Sequence, residues 1–377
     1  MSPEWPNDPS DCRWTIDPDI RRAWTPPASF YRSKSEFERT IDTVFTRSWQ
    51  PIDLPADPRS SSSLTDHAFP FTLLPGCLDE PLVLVHDADG TARCLSNVCT
   101  HRGHLVVQES GSVRSLRCRY HGRRFELDGT LRSMPGFDGV VGFPSRCDDL
   151  APLESPSWGP LRFVVASTPV VDFTSWIAPV DARIASLPVD RLRPDPRSSR
   201  TYEIDAHWAL YVDNYLEGFH IPFVHEALAD AVDLANYPTE LFEWGSLQIG
   251  VARDAAGALD LPAGHPDRGT RVAAYWFWLY PNVMLNFYPW GLSVNHVQPI
   301  GHERTRIVYR AYVWDESRRE HGAGADLDRV EREDDEVVES VSAGLRSRIY
   351  SRGRYSPQHE RATHHFHRLL AASLHPT

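Results

Sequence analysis

Two short segments carry the residues with the clearest chemistry. Cys99 and His101 form one pair, and Cys118 and His121 form a second pair after sixteen intervening residues. One type of [2Fe–2S] cluster binds two thiolates on one iron and two imidazoles on the other, and here each pair offers one ligand of each kind. Imidazoles in place of thiolates raise the reduction potential into a range of about −150 to +300 mV. The four side chains therefore predict a centre that delivers single electrons to a second site.

A tetrahedral zinc site is the alternative for the same ligands. Zinc modules usually place both cysteines in one pair and both histidines in the other, whereas each pair here is mixed. The flanking segments 97–103 and 118–122 resemble the two ligand loops of Rieske proteins, with glycines that let backbone amides approach the sulfurs. Arg119 departs from that pattern, because proline usually occupies its position. The resemblance favours a Rieske cluster over zinc.

A second set of ligand-type residues lies between positions 213 and 225. Glu217 and His220 are three residues apart, which makes them neighbours on one face of a helix. His220 and His225 are five apart, a separation of about 140° on a regular helix. Pro222 breaks or kinks a helix at this point, so both imidazoles can turn toward one metal. Two imidazoles and one carboxylate form the facial triad of non-haem Fe(II) oxygenases.

This segment resembles the mononuclear-iron motif of the Rieske non-haem iron oxygenases, acidic-x₂-His-x₄-His. The similarity is to the terminal oxygenase (alpha) subunit, and most of all to the group that contains choline monooxygenase, carnitine monooxygenase and glycine-betaine demethylase. By resemblance, His220 and His225 are iron ligands and Glu217 links the two metal centres. Asp213 and Asn214 precede Glu217 in the same motif and are further candidates for a catalytic role.

The third iron ligand is expected in the acidic segment 331–336. Helical periodicity places Asp334 within one apolar stripe, while its neighbours Glu333 and Asp335 fall about 100° to either side. The other members of this stripe are Val338, Val341, Leu345 and Ile349. A carboxylate on a buried face is costly unless it is paired or binds a metal. The position of the ligand aspartate in the resembling family agrees, so Asp334 is the predicted ligand.

Composition is consistent with a cytoplasmic enzyme. The chain has 377 residues, a length that is sufficient for two domains. Hydrophobic residues make up 41% of it, which allows large cores. A net charge of −12 argues against nucleic acid or an anionic membrane as a partner. The first residues lack the features of a signal peptide, and apolar runs fall short of the roughly 18 residues that a transmembrane helix needs.

The chain reads as an α+β protein. Residues 34–50 form an amphipathic helix pattern, short β-rich runs with Asp-Gly turns occupy about 70–150, and the proline-containing segment 182–200 is typical of an inter-domain passage. Further along we expect strands at 271–280, 291–299 and 304–314 and helices at about 208–231, 327–350 and 358–374. His364, His365 and His367 lie on the last helix, where we expect packing or surface roles.

The resemblance covers nearly the whole chain and implies three regions. Residues 1–50 form an N-terminal arm and helix that pack on the catalytic domain, 51–160 form an antiparallel β Rieske [2Fe–2S] domain, and 161–377 form a catalytic domain with the helix-grip fold, an antiparallel sheet with helices. The cofactors implied are the Rieske cluster and mononuclear Fe(II), with O₂ as co-substrate. NAD(P)H acts only indirectly, through a separate flavin or iron–sulfur reductase, and a homotrimer is expected.

The implied reaction is hydroxylation or oxidative demethylation of a small organic molecule. The aromatic residues of 275–290 resemble the pocket strands of enzymes that act on quaternary ammonium or betaine-like compounds, where they can contact the cation. They can equally pack the sheet. Two alternatives stay open: ring hydroxylation of an aromatic acid or an apolar aromatic, and a Rieske electron-transfer protein whose second domain is a non-catalytic binding domain.

Overall fold

The computed structural model describes residues 13–53 and 65–375, so the first twelve residues of the predicted N-terminal arm lie outside the described residues. The chain divides into two compact units. One comprises Trp49–Pro169, and the other combines the described residues up to Ser48 with those from Val170 onward.

The unit Trp49–Pro169 is built from short antiparallel strands, which confirms the predicted β domain. The strands are β1 (Gln50–Pro51), β2 (His67–Leu73), β3 (Glu80–His86), β4 (Ala92–Ser96), β5 (Gly111–Ser112), β6 (Leu116–Arg117), β7 (Arg124–Phe125), β8 (Leu131–Ser133), β9 (Pro152–Leu153), β10 (Ser157–Trp158) and β11 (Leu161–Val164). They form three sheets, in the orders β5-β2-β3-β4-β9, β6-β7-β8 and β1-β11-β10.

The predicted Asp-Gly turns connect strands of this unit. Gly129 has φ +90°, and a Cβ there would lie 3.0 Å from the carbonyl oxygen of Leu150, so both backbone conformation and space require glycine. The core includes Val83, Leu95 and Phe125, and Cys99 and Cys118 are buried in the same cluster. The two predicted thiolate ligands are therefore anchored in the core of the β unit.

The other unit is a seven-stranded antiparallel sheet with helices, as predicted. Its strands are β12 (Arg193–Ile204), β13 (Thr239–Phe242), β14 (Gly245–Val251), β15 (Val272–Leu279), β16 (Val283–Tyr288), β17 (Gly291–Gly301) and β18 (Arg304–Val313), in the order β12-β18-β17-β16-β15-β14-β13. Its helices are α1 (Ala28–Arg32), α2 (Lys34–Thr43), α3 (Phe173–Ile184), α4 (Trp208–Tyr215), α5 (Ile221–Val224), α6 (Glu226–Ala231), α7 (Leu327–Gly344) and α8 (Arg361–Leu374).

Helices cover the sheet and position the site. All residues of β14, β15 and β16 are buried, so both faces of the central sheet are covered. Helix α4 packs against α7 and β17, α8 packs against β13 and β14, and α2 packs against α8. Within the described residues, no helix is long and apolar enough to cross a membrane.

Several sequence-based expectations need correction. The segment 182–200 is not an inter-domain passage, because it lies within the unit that continues from Val170 onward. From Arg193 it forms the edge strand β12, where prolines are tolerated. The helix expected at 34–50 ends at Thr43, and the helix expected at 208–231 is divided into α4, α5 and α6.

The apolar stripe predicted for α7 is only partly present. Val338 and Leu345 are buried, but Val341 is 45% exposed and Ile349 is 90% exposed. The helix ends at Gly344, so Ile349 lies beyond it and its side chain does not follow the helical phase. Asp335, expected to be exposed, is only partly exposed.

Candidate metal centres and active-site pocket

The two cysteine loops share one backbone pattern. In each loop the cysteine N–H donates to the carbonyl five residues later, and the glycine four residues after the cysteine donates back to the cysteine carbonyl. The pairs are Cys99 with His104 at 2.9 Å, Gly103 with Cys99 at 2.9 Å, Cys118 with Arg123 at 2.9 Å and Gly122 with Cys118 at 3.1 Å. Both glycines have positive φ, +70° and +76°, which only glycine adopts readily. The two loops therefore share a backbone conformation, although the histidine follows the cysteine by two residues in the first loop and by three in the second.

The four predicted cluster residues lie together. Cys99 and Cys118 are 3% and 1% exposed, and the ring centroids of His101 and His121 are 4.7 Å apart. Nδ1 of His121 is buried and has no hydrogen-bond partner among the described residues. A buried ring nitrogen without a partner is unfavourable in protein alone but suits a metal ligand. The donor set therefore fits a cluster bound by two thiolates and two imidazoles.

An ion pair between buried Arg123 and partly exposed Asp148 supports the second cysteine loop. The side chain of Arg123 is 2% exposed, and its Nη2 lies 2.7 Å from Asp148 Oδ1. The guanidinium also stacks over Phe143, with 5.5 Å between Cζ and the ring centroid. Asp148 accepts hydrogen bonds from the backbone and hydroxyl of Ser145 at 2.8 and 3.0 Å. Sequence reasoning missed this pair, because it joins residues that are distant in the chain.

The second set of predicted ligands converges at short helix α5. His220 precedes the helix and His225 follows it. Nε2 of His220 lies 3.4 Å from Asp334 Oδ1, and Nε2 of His225 lies 2.9 Å from the same oxygen. One ligand atom from each residue lies within 4.8 Å of the others. Two imidazoles and one carboxylate in this arrangement fit a mononuclear iron.

The charges at this site favour a bound cation. Burial lowers the pKa of His220, but hydrogen bonds with Asp334 and Glu217 outweigh burial and raise the pKa to about 9. Burial raises the pKa of Asp334, yet hydrogen bonds from the two imidazoles outweigh it and lower this pKa. The carboxylates of Asp334 and Glu217 thus stabilise positive charge near the Nε2 atoms of His220 and His225.

Each candidate ligand histidine also contacts a second carboxylate. Nδ1 of His220 lies 2.7 Å from Glu217 Oε1, and Nδ1 of His225 lies 2.8 Å from Glu333 Oε2. A carboxylate that accepts the N–H of Nδ1 leaves the Nε2 lone pair for a metal. Glu333 was missed by sequence reasoning, which placed it beside the buried face of the helix.

Asn214 and Asp213 point to different surroundings. Asn214 Nδ2 donates to Asp334 Oδ1 at 2.6 Å and so orients the candidate carboxylate ligand. Asp213 accepts a hydrogen bond from Tyr31 at 3.1 Å and lies 2.8 Å from His367 Nε2, outside the group of described pocket-lining residues. His367 was expected to pack, and it is buried in this network.

A pocket opens onto the three candidate iron ligands. Strand alternation decides which residues of 275–290 face it: Trp276 and Tyr288 line the pocket, whereas Tyr275 is directed elsewhere and donates to Asp267 at 2.6 Å. Trp276 Nε1 donates to the Tyr288 hydroxyl at 3.0 Å, and its ring stacks on Tyr237 at 5.7 Å between centroids. The pocket therefore has an aromatic wall.

The pocket is also lined by polar side chains. Glu331 accepts a hydrogen bond from the hydroxyl of Tyr211 at 2.7 Å, and Asn295 Nδ2 lies 3.4 Å from its other oxygen. Asn286 Nδ2 donates to Asn295 at 3.1 Å, and Tyr215 donates to Asn286 at 2.6 Å. The described residues that line the pocket include no Lys or Arg.

Comparison with known proteins identifies both regions. Residues 71–144 match the Rieske [2Fe-2S] domain, and residues 192–375 match the catalytic domain of the ring hydroxylating alpha subunit. Chloroplastic choline monooxygenase of Arabidopsis thaliana is 32% identical over 95% of this chain and 85% of that protein. The carnitine monooxygenase oxygenase subunit of Escherichia coli (strain K12) is 28% identical over 93% of this chain and 94% of its own length.

Solved structures agree with the sequence comparison. A quaternary ammonium Rieske monooxygenase, CntA, aligns with a TM-score of 0.73 and 25% identity over 94% of this chain and 96% of that one. Naphthalene 1,2-dioxygenase aligns with a TM-score of 0.70 at 16% identity, over 93% of this chain and 92% of that one, a likeness of fold alone.

The chain belongs to the Rieske non-haem iron oxygenases, in the group that includes the choline and carnitine monooxygenases. It is an oxidoreductase. Its cofactors are a Rieske [2Fe–2S] cluster and a mononuclear non-haem iron, and O₂ is its co-substrate.

Proposed function

We propose that this protein is the terminal oxygenase of a system that hydroxylates or oxidatively demethylates a quaternary ammonium compound. The observation that carries the proposal is the composition of the pocket beside the candidate iron ligands. Its aromatic wall contains Trp276, Tyr288 and Tyr237, and an acidic side chain, Glu331, lies in the same pocket. Aromatic faces and carboxylates both attract an onium group. An aromatic acid would instead favour a Lys or Arg partner, and the described lining contains neither, since its two histidines are the candidate iron ligands.

The metal ligands in this proposal are the residues predicted from the sequence. Cys99, His101, Cys118 and His121 hold the cluster, and His220, His225 and Asp334 hold the iron. When bound, the cluster supplies single electrons and the iron supplies the site of O₂ activation. The protein's own part is to fix Nε2 of both histidines through Glu217 and Glu333, and to orient Asp334 through Asn214. In this proposal residues 51–160 are the Rieske domain, 161–377 the catalytic domain and 1–50 an arm on the second, whereas the compact β unit of the structure, Trp49–Pro169, also includes strand β11.

The electron path in this proposal crosses between chains. The structure of a quaternary ammonium Rieske monooxygenase similar to this chain has given insight into electron transfer between subunits. Here Glu217 would accept hydrogen bonds from His220 and from His101 or His121 of a neighbouring copy in a homotrimer. A separate flavin or iron–sulfur reductase would take electrons from NAD(P)H and pass them to the cluster.

We place the protein in the cytoplasm. Cys77, Cys94 and Cys147 are free thiols, which is typical of a reducing compartment.

The test is an O₂-uptake screen of the purified, iron-loaded protein with a reductase and NADH. Choline, carnitine, γ-butyrobetaine, glycine betaine, benzoate and naphthalene are offered in parallel, and product masses are measured. We expect oxygen consumption and product with at least one quaternary ammonium compound. Product from the aromatic compounds alone would contradict the proposal and support ring hydroxylation instead.

A further inference from the structure

Glu331 lies one helical turn before Asp334 on α7, so the two carboxyl groups share one face of that helix. Both line the active-site pocket. The Glu331 carboxyl is held in place by neutral groups: Tyr211 donates to Oε2 at 2.7 Å, and the Tyr211 and Tyr309 hydroxyls are 2.6 Å apart. The side chain is therefore oriented, and its position is set by tyrosines on α4 and β18.

Among the residues that the structure describes, the charge of Glu331 has no partner of opposite sign. The other two pocket carboxylates face imidazoles, Glu217 at His220 and Asp334 at both candidate ligands. Glu331 forms no ion pair with a Lys, Arg or His in the described part of the chain. Burial, together with the nearby charges of Asp334 and Asp335, raises the pKa of Glu331 to about 8. A cation beside this carboxyl would relieve the cost of burying its charge.

The aromatic wall lies in the same pocket as this carboxyl. Trp276 and Tyr288 are connected by a hydrogen bond of 3.0 Å, and Tyr237 stacks on Trp276. An onium group bound in this pocket would therefore have π faces and one carboxylate available to it. A neutral ligand of the same shape would leave the charge of Glu331 uncompensated.

We propose that Glu331 is the specificity-determining residue that binds the positively charged nitrogen of the substrate. The inference rests on the proposed function and adds the residue and the preferred charge. One unpaired carboxylate matches one positive charge, so a net cation such as choline is preferred to a zwitterion such as carnitine. The carboxylate of a zwitterion would find no Lys or Arg among the described pocket-lining residues.

The test compares binding of choline with that of its neutral carbon isostere, 3,3-dimethylbutan-1-ol, and of carnitine. The variants are Glu331→Gln, which keeps the shape but removes the charge, and Glu331→Asp, which keeps the charge. Glu336→Gln is the matched control, because Glu336 is exposed on the same helix. Dissociation constants are measured by calorimetry on the anaerobic, iron-loaded protein at pH 8.5. Iron content and the visible cluster spectrum show that each variant is assembled.

For the wild type we expect choline to bind at least about tenfold more tightly than the isostere, and more tightly than carnitine. Glu331→Gln should lose about tenfold in choline affinity without a matching change for the isostere, whereas Glu331→Asp and Glu336→Gln should keep the preference for choline. Equal losses for both ligands in Glu331→Gln, or no loss, would overturn the role of Glu331. Tighter binding of carnitine than of choline by the wild type would overturn the charge preference. If the wild type binds and oxidises no quaternary ammonium compound, the proposed function itself fails.

Discussion

Glu333 Oε2 lies 2.8 Å from His225 Nδ1, so the carboxylate next to the candidate iron ligand Asp334 holds the imidazole from its far side. Nε2 of the same ring lies 2.9 Å from Asp334. Two consecutive acidic residues of α7 therefore contact opposite nitrogens of one histidine. Glu333 is itself fixed by Arg329, whose Nε donates to Oε1 at 2.8 Å. The arrangement orients His225 through contacts at both ring nitrogens.

The first prediction concerns this contact. Glu333→Ala should reduce affinity for mononuclear iron by about 10- to 100-fold, because His225 loses the partner that fixes its ring and tautomer. Glu333→Gln, which keeps an oxygen acceptor, should lose less. Iron affinity is measured by anaerobic titration of iron-free protein. The control is Glu336→Gln, and an unchanged affinity in Glu333→Ala would show that the contact does not support the ligand.

The second prediction separates Asp334 from the rest of the acidic segment. Asp334→Ala should lose the mononuclear iron and turnover while keeping the cluster spectrum, because one of three ligands is removed. Glu336→Ala should change stability by no more than about 0.5 kcal/mol and keep its iron. Asp335 is a poor control, because burial and the charge of Asp334 raise its pKa to about 7. Retention of iron by Asp334→Ala would contradict its assignment.

The third prediction concerns the cluster. Cys118→Ala should remove the visible absorption of the [2Fe–2S] centre and leave the iron at His220, His225 and Asp334, because the two ligand sets share no residue. Iron content should fall from about three atoms per chain to about one, because the lost cluster accounts for the other two. The measurement combines absorption spectra with metal analysis. Stoichiometric zinc in the wild type, without a reducible chromophore, would contradict the cluster assignment.

Candidate ligands could be picked out from the sequence because the members of each pair lie close together in the chain. The spacing of Cys99 with His101 and of Cys118 with His121 is visible without a structure, as is that of His220 with His225. The helical periodicity of α7 indicated Asp334. A carboxylate oxygen of Asp334 lies within 4.8 Å of a ring nitrogen of His220 and of His225.

The partners of these residues could not be predicted. A histidine that binds a metal through Nε2 still needs one hydrogen-bond acceptor for Nδ1–H, and for His225 that acceptor is Glu333, 108 residues away. Helical phase alone assigned Glu333 to the flank of the buried face. The exposure of Val341 and Ile349 depends on where α7 ends and on what covers it, and neither can be read from periodicity. Pro194 looked like a linker residue because proline usually interrupts a strand. It lies in strand β12, which can contain it because edge strands tolerate proline.

The fourth prediction is the pH dependence of the iron-free protein. The folded-state pKa of His220 is raised from 6.5 to about 9 by Asp334 and Glu217, against the effect of burial. The charged imidazole therefore stabilises the fold fully below pH 6.5, and this contribution is lost as pH rises through 9. The difference in urea midpoint between the wild type and His220→Gln should shrink over that window. A constant difference would contradict the shift.

The fifth prediction tests whether electrons cross between chains. His121→Ala should lack a working cluster and His220→Ala should lack a working iron site, so each protein alone should be inactive. If the cluster of one chain serves the iron of its neighbour, co-expressed chains should regain partial activity at interfaces that join an intact cluster to an intact iron site. Glu217→Gln should keep both metals but lose most turnover, because the carboxylate at His220 Nδ1 no longer couples the centres. Mixed oligomers that retain both metals on their intact sites and yet stay inactive would show that transfer between subunits is wrong for this protein.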